Sequence, residues 1–261
     1  MGNKEPLFIA FSTQKGGAGK SAFTSLTASH YHYNCGLNVL VIDCDKSQHS
    51  LQRMRERDQE IVETDPVHNE QFYIQFNRIN KSAYPILYSN AANAIEVAKS
   101  YIENSETKYD VVMIDLVGSE EADGVMACVA KLDYIFVPIS SDHFVMESSL
   151  AFALTAKNML LDNHDQPLKG IFLFWNKVVA TERTTLYDDY TKVITEMGIP
   201  ILNTSIPDAV RYKRELRKGR KEVFRSTLFP ISPSLIKGSR FDELIIEISK
   251  ILNLNITNEQ K

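Results

Sequence analysis

Long apolar runs are missing from this sequence. No stretch approaches the ~18 consecutive apolar residues of a membrane span. The N-terminal segment MGNKEPLFIAFSTQKGG holds an apolar run of about five residues, below the ~7–15 of a signal-peptide core. Cysteine is scarce: Cys35, Cys44 and Cys128 make an odd number with no Cys-x-x-Cys pair, which argues against a disulfide framework or a zinc site. A reducing cytoplasm is the expected home. Eleven glycines and nine prolines are too few for a collagenous or low-complexity chain. Positive charge is not in excess either, since 29 Lys/Arg against 33 Asp/Glu leave a net charge of −4. That balance excludes a histone-like binder working by bulk charge, though local basic patches stay open.

What is present is a globular composition, 44% hydrophobic and 24% charged over 261 residues, enough for a sizeable core. Short β-rich runs at 7–12, 38–42, 85–89, 111–115, 133–138, 170–175 and 200–202 alternate with amphipathic stretches. Apolar runs without strict alternation predict strands buried on both faces, and the strand–helix alternation predicts right-handed crossovers. The expected fold is α/β, a mostly parallel twisted sheet of about seven strands with helices on both faces. No repeat or Gly/Ser linker divides residues 1–261, so a single domain is expected. Residues 59–81 are polar and poorly periodic and read as an insertion or mobile excursion. Residues 211–225, RYKRELRKGRKEVFR, carry eight Lys/Arg in fifteen. From 241 to 256, apolar residues at 241, 244/245, 248 and 251/252 have the spacing of a helix with one buried face.

The most informative segment is IAFSTQKGGAGKSAF at 9–23: a strand, a glycine-rich turn and a helix start. Gly16, Gly17, Ala18 and Gly19 let the backbone curl with its N–H groups inward, a nest for phosphate oxygens at a helix N-terminus. Lys20 is placed to bridge terminal phosphates and the Ser21 hydroxyl to ligate Mg²⁺, with Ala22 following in the first helical turn. Further on, VLVIDCDKSQHSL ends a strand with Asp43 and Asp45, whose period-2 spacing puts both carboxylates on one side and Cys44 on the other. Two acids facing a polyphosphate make sense around a metal and a water; as a plainer alternative they cap the next helix. YDVVMIDLVGS ends a third strand in Asp115, about ninety-five residues after the phosphate loop.

KGGAGKS resembles the deviant Walker A motif, KGGxGK[ST], of the ParA/MinD family of ATPases, whose mark is the extra lysine, here Lys15. The resemblance covers roughly residues 5–255. It implies a P-loop NTPase fold, ATP and Mg²⁺ as cofactors, slow hydrolysis, and a nucleotide-sandwich homodimer in which Lys15 reaches the partner's phosphates, cationic charge supplied in trans. It also implies that Asp45 orients the attacking water, that Asp43 lies nearer the metal, and that Asp115 holds Mg²⁺ through water. Lys46-Ser47-Gln48 replaces the usual Pro-Gln, and Val117-Gly118 replaces Pro-Pro, with Gly118 able to offer its N–H to a γ-phosphate. Asn176, ending IFLFWNKV, matches the asparagine that reads the adenine edge; guanine is the rival base, but Val179 stands where that motif needs Asp. NTSIPDAVRYKRELRKG resembles IPRNVRLxEAPxxG, which places Pro207 and Asp208 beside the base.

The basic stretch overlaps the region where ParA-type dimers hold DNA without reading sequence, and it makes Arg211, Arg217, Lys218, Arg220 and Lys237 the expected phosphate contacts. A solvated charged face is the bland alternative. The nitrogenase iron protein shares the loop but needs bridging cysteines, and Cys35 and Cys128 fit core positions instead. The tail NITNEQK is neither basic nor amphipathic, unlike a MinD-type membrane anchor, so no membrane partner is expected. The expected function is partition or positioning of a DNA element with a ParB-like partner protein; QHS after the paired aspartates resembles ParA-like proteins of conjugative elements. Two alternatives remain on the same fold: a ligase or transferase similar to dethiobiotin synthetase, and a non-hydrolysing nucleotide-dependent DNA-binding regulator.

Overall fold

A computed structural model describes residues 5–45, 50–116, 118, 122–162, 166–179, 181 and 184–256, of which 122, 123 and 184 are described in backbone only. Among the described residues six strands form one sheet: β1 (Leu7–Phe11), β2 (Val39–Asp43), β3 (Ile86–Tyr88), β4 (Val111–Asp115), β5 (Tyr134–Ile139) and β6 (Gly170–Trp175). Their order is β3-β2-β4-β1-β5-β6, and every pairing is parallel. Both faces are covered, which is why β1, β2 and β4 are buried at every position and read as unbroken apolar runs. On one face Leu40, Ile42, Val112, Ile114 and Val137 pack against α4 (Ala94–Glu103), α5 (Ala122–Val129) and α6 (His143–Ala156). On the other, Ile9, Phe11, Val41, Met113 and Phe174 meet α1 (Lys20–Ser29), which continues as a π-helical turn over His30–Asn34. Cys128, as expected, is a buried free thiol in the first of these cores, as is Cys44, whereas Cys35 is half-buried against the second.

The expected seventh strand is a single bridge. Ile201 pairs with Leu173, while Leu173 N donates to Pro200 O (2.9 Å) and Leu202 N to Leu173 O (2.7 Å). The ladder stops there because Pro200 has no N–H and the next two amides are drawn off the sheet edge: Asn203 N and Thr204 N donate to Glu247 (2.7 and 2.9 Å). Residues 59–79, within the stretch read as an insertion or mobile excursion, are helical but for Asp65. They belong to a helical hairpin, α2 (Ser50–Thr64) and α3 (Pro66–Ile79), turned at Asp65, whose carboxylate caps α3 by accepting from Val67 N (3.0 Å) with Pro66 in the first turn. α7 (Thr184–Glu196) flanks β6. The C-terminal helix expected from spacing is α8 (Phe241–Ile251), which buries Phe241, Leu244, Ile245 and Ile248, each stabilising by roughly 1.5–3 kcal/mol. Among the described residues no helix is long and apolar enough to cross a membrane.

Because all six strands run the same way, the loops after β1, β2, β4 and β6 open at one edge of the sheet. Open parallel sheets present their ligand crevice at that carboxyl edge.

Candidate phosphate-binding site

The loop after β1 bends through two glycines with left-handed backbone, Gly17 (φ 76°) and Gly19 (φ 98°), a geometry that costs a side-chain-bearing residue strain. Gly19 leads into α1, whose first turn has no side-chain cap. Its amides, with the positive end of the helix dipole, suit an anion. Lys20 is buried, and its ammonium donates to Lys15 O (2.9 Å). Burial lowers its pKa, while Asp115 and Asp45 pull it back up. Lys15, Gly16 and Gly17 are exposed, Ala18 is buried, and Ser21 and Ala22 are half-buried. Gly118 closes the loop from the β4 side. A Cβ there would meet Gln14 O at 3.1 Å, Gly16 N at 3.2 Å and Lys20 Nζ at 3.2 Å, so a side chain at this position would push the phosphate loop aside.

The acids come together through sheet register, since Asp43 and Asp115 are partners on adjacent strands. Asp43 is fully buried and spends both oxygens on the chain that follows it. Oδ1 accepts from Asp45 N (3.1 Å), and Oδ2 from Leu51 N (3.0 Å) and Gln52 N (3.3 Å). Burial raises its pKa, the three N–H donors lower it, and Asp45 raises it again. The capping contacts of Asp43 are therefore filled by the amides of the chain that follows it. Asp45 is half-buried and near enough to act on Lys20, Asp43 and Asp115.

Asp115 is different. It is 1% exposed and its Oδ2 has no hydrogen-bond partner among the described residues, while Oδ1 lies 3.5 Å from the Thr24 hydroxyl. Its pKa rises to about 7, chiefly by burial; the Ser21 hydroxyl lowers it, Asp43 raises it, Lys20 lowers it and Asp45 raises it. A buried, unsatisfied carboxylate oxygen beside a serine hydroxyl fits a hydrated divalent cation, whose bound waters are hydrogen-bond donors. Thr24 was not legible as a site residue; its only signal is the one-turn spacing from Lys20, whose carbonyl its hydroxyl also reaches (3.0 Å). Lys46, Ser47, Gln48 and Val117 lie outside the described residues.

On the β6 side Asn176 is buried, with its amide Nδ2 donating to Ala18 O (3.0 Å) and its Oδ1 accepting from Lys177 N (2.9 Å). Lys177, which sequence reasoning passed over, has a left-handed backbone (φ 56°) and donates from Nζ to Gly17 O (2.9 Å). The Asn-Lys pair thus holds the phosphate loop from the side opposite Gly118. Pro207 bridges Val178, and Asp208 N donates to Val178 O (2.8 Å), which brings 207–208 beside the end of β6.

The basic stretch is a loop, with one short 3₁₀ turn at Val210–Lys213 and an Arg217–Arg220 bridge around Gly219 (φ 73°). Several of its cations are already used. Arg214 pairs with Glu222 (3.0 Å), Arg225 and Arg57 both pair with Glu215, and Arg211 donates to Lys237 O. Arg217, Lys218, Arg220 and Lys237 have exposed side chains, and Arg211 is half-buried.

A family model described as the CobQ/CobB/MinD/ParA nucleotide binding domain matches residues 9–223. Among solved structures, pNOB8 ParA bound to nonspecific DNA aligns at 16% identity over 95% of this chain and 99% of that one, with a TM-score of 0.56. The MinC:MinD cell division protein complex of Aquifex aeolicus aligns at 14% identity, covering 98% of this chain and 99% of that one, TM-score 0.56. A protein assigned to plasmid partition in Borrelia burgdorferi B31, bound to AMPPNP, aligns at 18% identity over 84% and 93%, TM-score 0.53. At these identities the likeness is one of fold. No protein of curated function matches by sequence.

Proposed function

From a chain that belongs to the CobQ/CobB/MinD/ParA nucleotide-binding family, we propose a ParA-like ATPase that binds ATP·Mg²⁺, pairs as a nucleotide-sandwich dimer, holds DNA without sequence preference and hydrolyses ATP slowly to position a DNA element or cargo. The observation that carries this reading is the pairing of two lysines around one glycine loop. Lys20 is buried beside Asp115, and Lys15 stands exposed at the loop's outer rim. A buried lysine at the base of an amide nest serves the phosphates of its own chain. An exposed one on the rim is free to serve those of a second copy. Asp43, Asp45 and Asp115 supply acid around the same loop, and Ser21 with the free Oδ2 of Asp115 would hold the magnesium ion. Bound there, magnesium would neutralise charge on the β- and γ-phosphates.

In this reading Asp45 orients the attacking water, while Asn176 and Lys177 prop the phosphate loop and leave base contacts to residues 207–208. The exposed cations of the basic loop neutralise DNA phosphates, a reading supported by the likeness of the fold to pNOB8 ParA, which is bound to nonspecific DNA. A small DNA-binding protein of ParB type is the partner expected to stimulate turnover. The test compares wild type with Lys15→Ala and Asp45→Ala by light scattering and phosphate release. A non-hydrolysable ATP analogue should dimerise wild type and Asp45→Ala but not Lys15→Ala, and only wild type should turn over ATP. Equal dimerisation of all three would remove the trans role of Lys15.

A further inference from the structure

The hairpin α2–α3 touches both the candidate nucleotide site and the basic loop. At its start, the amides of Leu51 and Gln52 are held by Asp43 Oδ2, whose carboxylate neighbours Asp45 and Asp115. Along α2, Arg55 donates from Nε to Thr227 Oγ1 (3.0 Å), and buried Asp58 accepts from Ser226 Oγ (2.8 Å) and Thr227 N (2.7 Å). Arg57 reaches Glu215, and Val62 packs with Leu216, Val223, Leu228 and Phe229 in a small core separate from the two that flank the sheet. At the hairpin's turn, Asp65 Oδ2 accepts from Gly219 N (2.6 Å), and His68 Nε2 contacts Arg220 O (2.9 Å). Both Asp65 and His68 are at least nine-tenths buried.

We propose that α2–α3 and the loop 214–229 form one mechanical unit through which nucleotide at the phosphate loop sets the shape of the basic tip, with Asp65 and His68 as the positioning residues that clasp it. The grips at the tip are to backbone atoms of Gly219 and Arg220, so the side chains of Arg217, Lys218 and Arg220 stay free while the hairpin decides where they point. Helix α2 has 15 residues, hence a length of about 22 Å. Its first turn is fastened to an acid in the nucleotide site. Charge brought beside Asp43 and Asp115 alters that fastening, and a helix packed at Leu51 and Met54 against the sheet's core and at Val62 in the small core passes a shift at its start on to its far end. Coupling of this kind is reciprocal: nucleic acid on the tip must strengthen nucleotide binding by the factor by which nucleotide strengthens nucleic-acid binding.

The coupling rests on the nucleotide-binding reading, and the ligand at the tip rests on the DNA-binding reading. The experiment separates them by measuring amide hydrogen exchange and DNA anisotropy on the same full-length samples, with ADP or a non-hydrolysable ATP analogue and Mg²⁺. The variants are His68→Leu, which removes one grip, and Gly219→Ala, whose Cβ meets nothing within 4 Å but disfavours the φ of 73°. Glu70→Gln, on the exposed side of α3, is the control. In wild type and control, exchange in 50–64 and in 214–225 should fall together when the ATP analogue replaces ADP. In both variants 50–64 should still respond while 214–225 does not, and the ATP/ADP ratio of DNA affinity should drop about fivefold or more, the scale of ordinary allosteric coupling. A loop that follows nucleotide in both variants as it does in wild type overturns the proposal, as does a wild-type loop that ignores nucleotide while 50–64 responds. Coupled exchange in a wild type that binds no DNA in either state would instead overturn the DNA reading and leave the coupling standing.

Discussion

Replacing Asp115 with Asn isolates the electrostatic cost built into the site. In the folded chain burial pushes the carboxyl's pKa up to about 7, well above the usual carboxylate value of about 4. The sign follows from linkage. Below about pH 4 the group is protonated folded or unfolded and costs nothing. As pH rises toward 7 the unfolded chain releases the proton and the folded one keeps it, so stability falls; above 7 the full penalty is present. At about 1.36 kcal/mol per unit, that penalty is on the order of 4 kcal/mol, of which about 2–3 kcal/mol accrues between pH 5 and pH 8. Asn is nearly isosteric and carries no charge, so Asp115→Asn should remove this share of the slope. Asp43, whose pKa is also raised by burial, should leave a smaller slope behind. The assay is urea unfolding of nucleotide-free wild type and variant at pH 5, 6, 7 and 8, read as the difference between the two proteins. Parallel stability curves would refute the reasoning, because they would mean that Asp115 ionises in the fold as easily as in water. Mg²⁺ with nucleotide should act in the opposite sense, binding more tightly to wild type as pH rises through 7.

Lys20→Ala should abolish nucleotide binding, since its buried ammonium sits against the phosphate loop; calorimetry with ATP·Mg²⁺ showing unchanged affinity would contradict this. Asp58→Ala should destabilise the fold by about 3–5 kcal/mol, because Arg57, Ser226 and Thr227 would lose their buried acceptor, and chemical denaturation measures it. Changing Arg217, Lys218 and Arg220 together to Glu should remove DNA binding at low salt; single neutral substitutions should each flatten log K against log[salt] by about 0.9 per protomer. A salt slope that does not move would make the loop a solvated surface and nothing more.

Local pattern exposed most of this architecture and hid the rest for identifiable reasons. The strands and the phosphate loop carry their signals in contiguous residues. Asp43 and Asp115 are legible because each ends a run of apolar residues, and Asp45 because it lies two residues beyond Asp43. The hairpin α2–α3 is also periodic, but the period passes through polar residues. Its buried positions on α2 are Leu51, Met54, Asp58 and Val62, and on α3 only His68 is buried, with Phe72, Phe76 and Ile79 partly so. An aspartate and a histidine at core positions look like surface until the groups that satisfy them are known, and beside the local partners Arg57 and Asp65 those lie more than 150 residues away in sequence. The same holds for the basic stretch. Charge density was visible, but nothing in the sequence tells which arginines are paired with Glu215 and Glu222 and which are free. Asn176 could be placed at a strand end, yet its engagement with Ala18 O depends on how the phosphate loop curls.

The register that sets Asp43 opposite Asp115 has a consequence for how such a protein tolerates change. The two carboxylates are neighbours because two parallel strands are in step, and no loop is needed to bring them together. Insertions or deletions in the connections after β2 and β4 can alter the chain's length, and with it whatever the loops recognise, without separating the acids. A single-residue deletion inside either strand does the opposite: with a side-chain period of two, it turns one carboxylate into the apolar layer around Cys44 and Ile114. The sheet therefore divides the chain into stretches where length is free to drift and stretches where it is fixed. The acids of the site lie at the boundary between them.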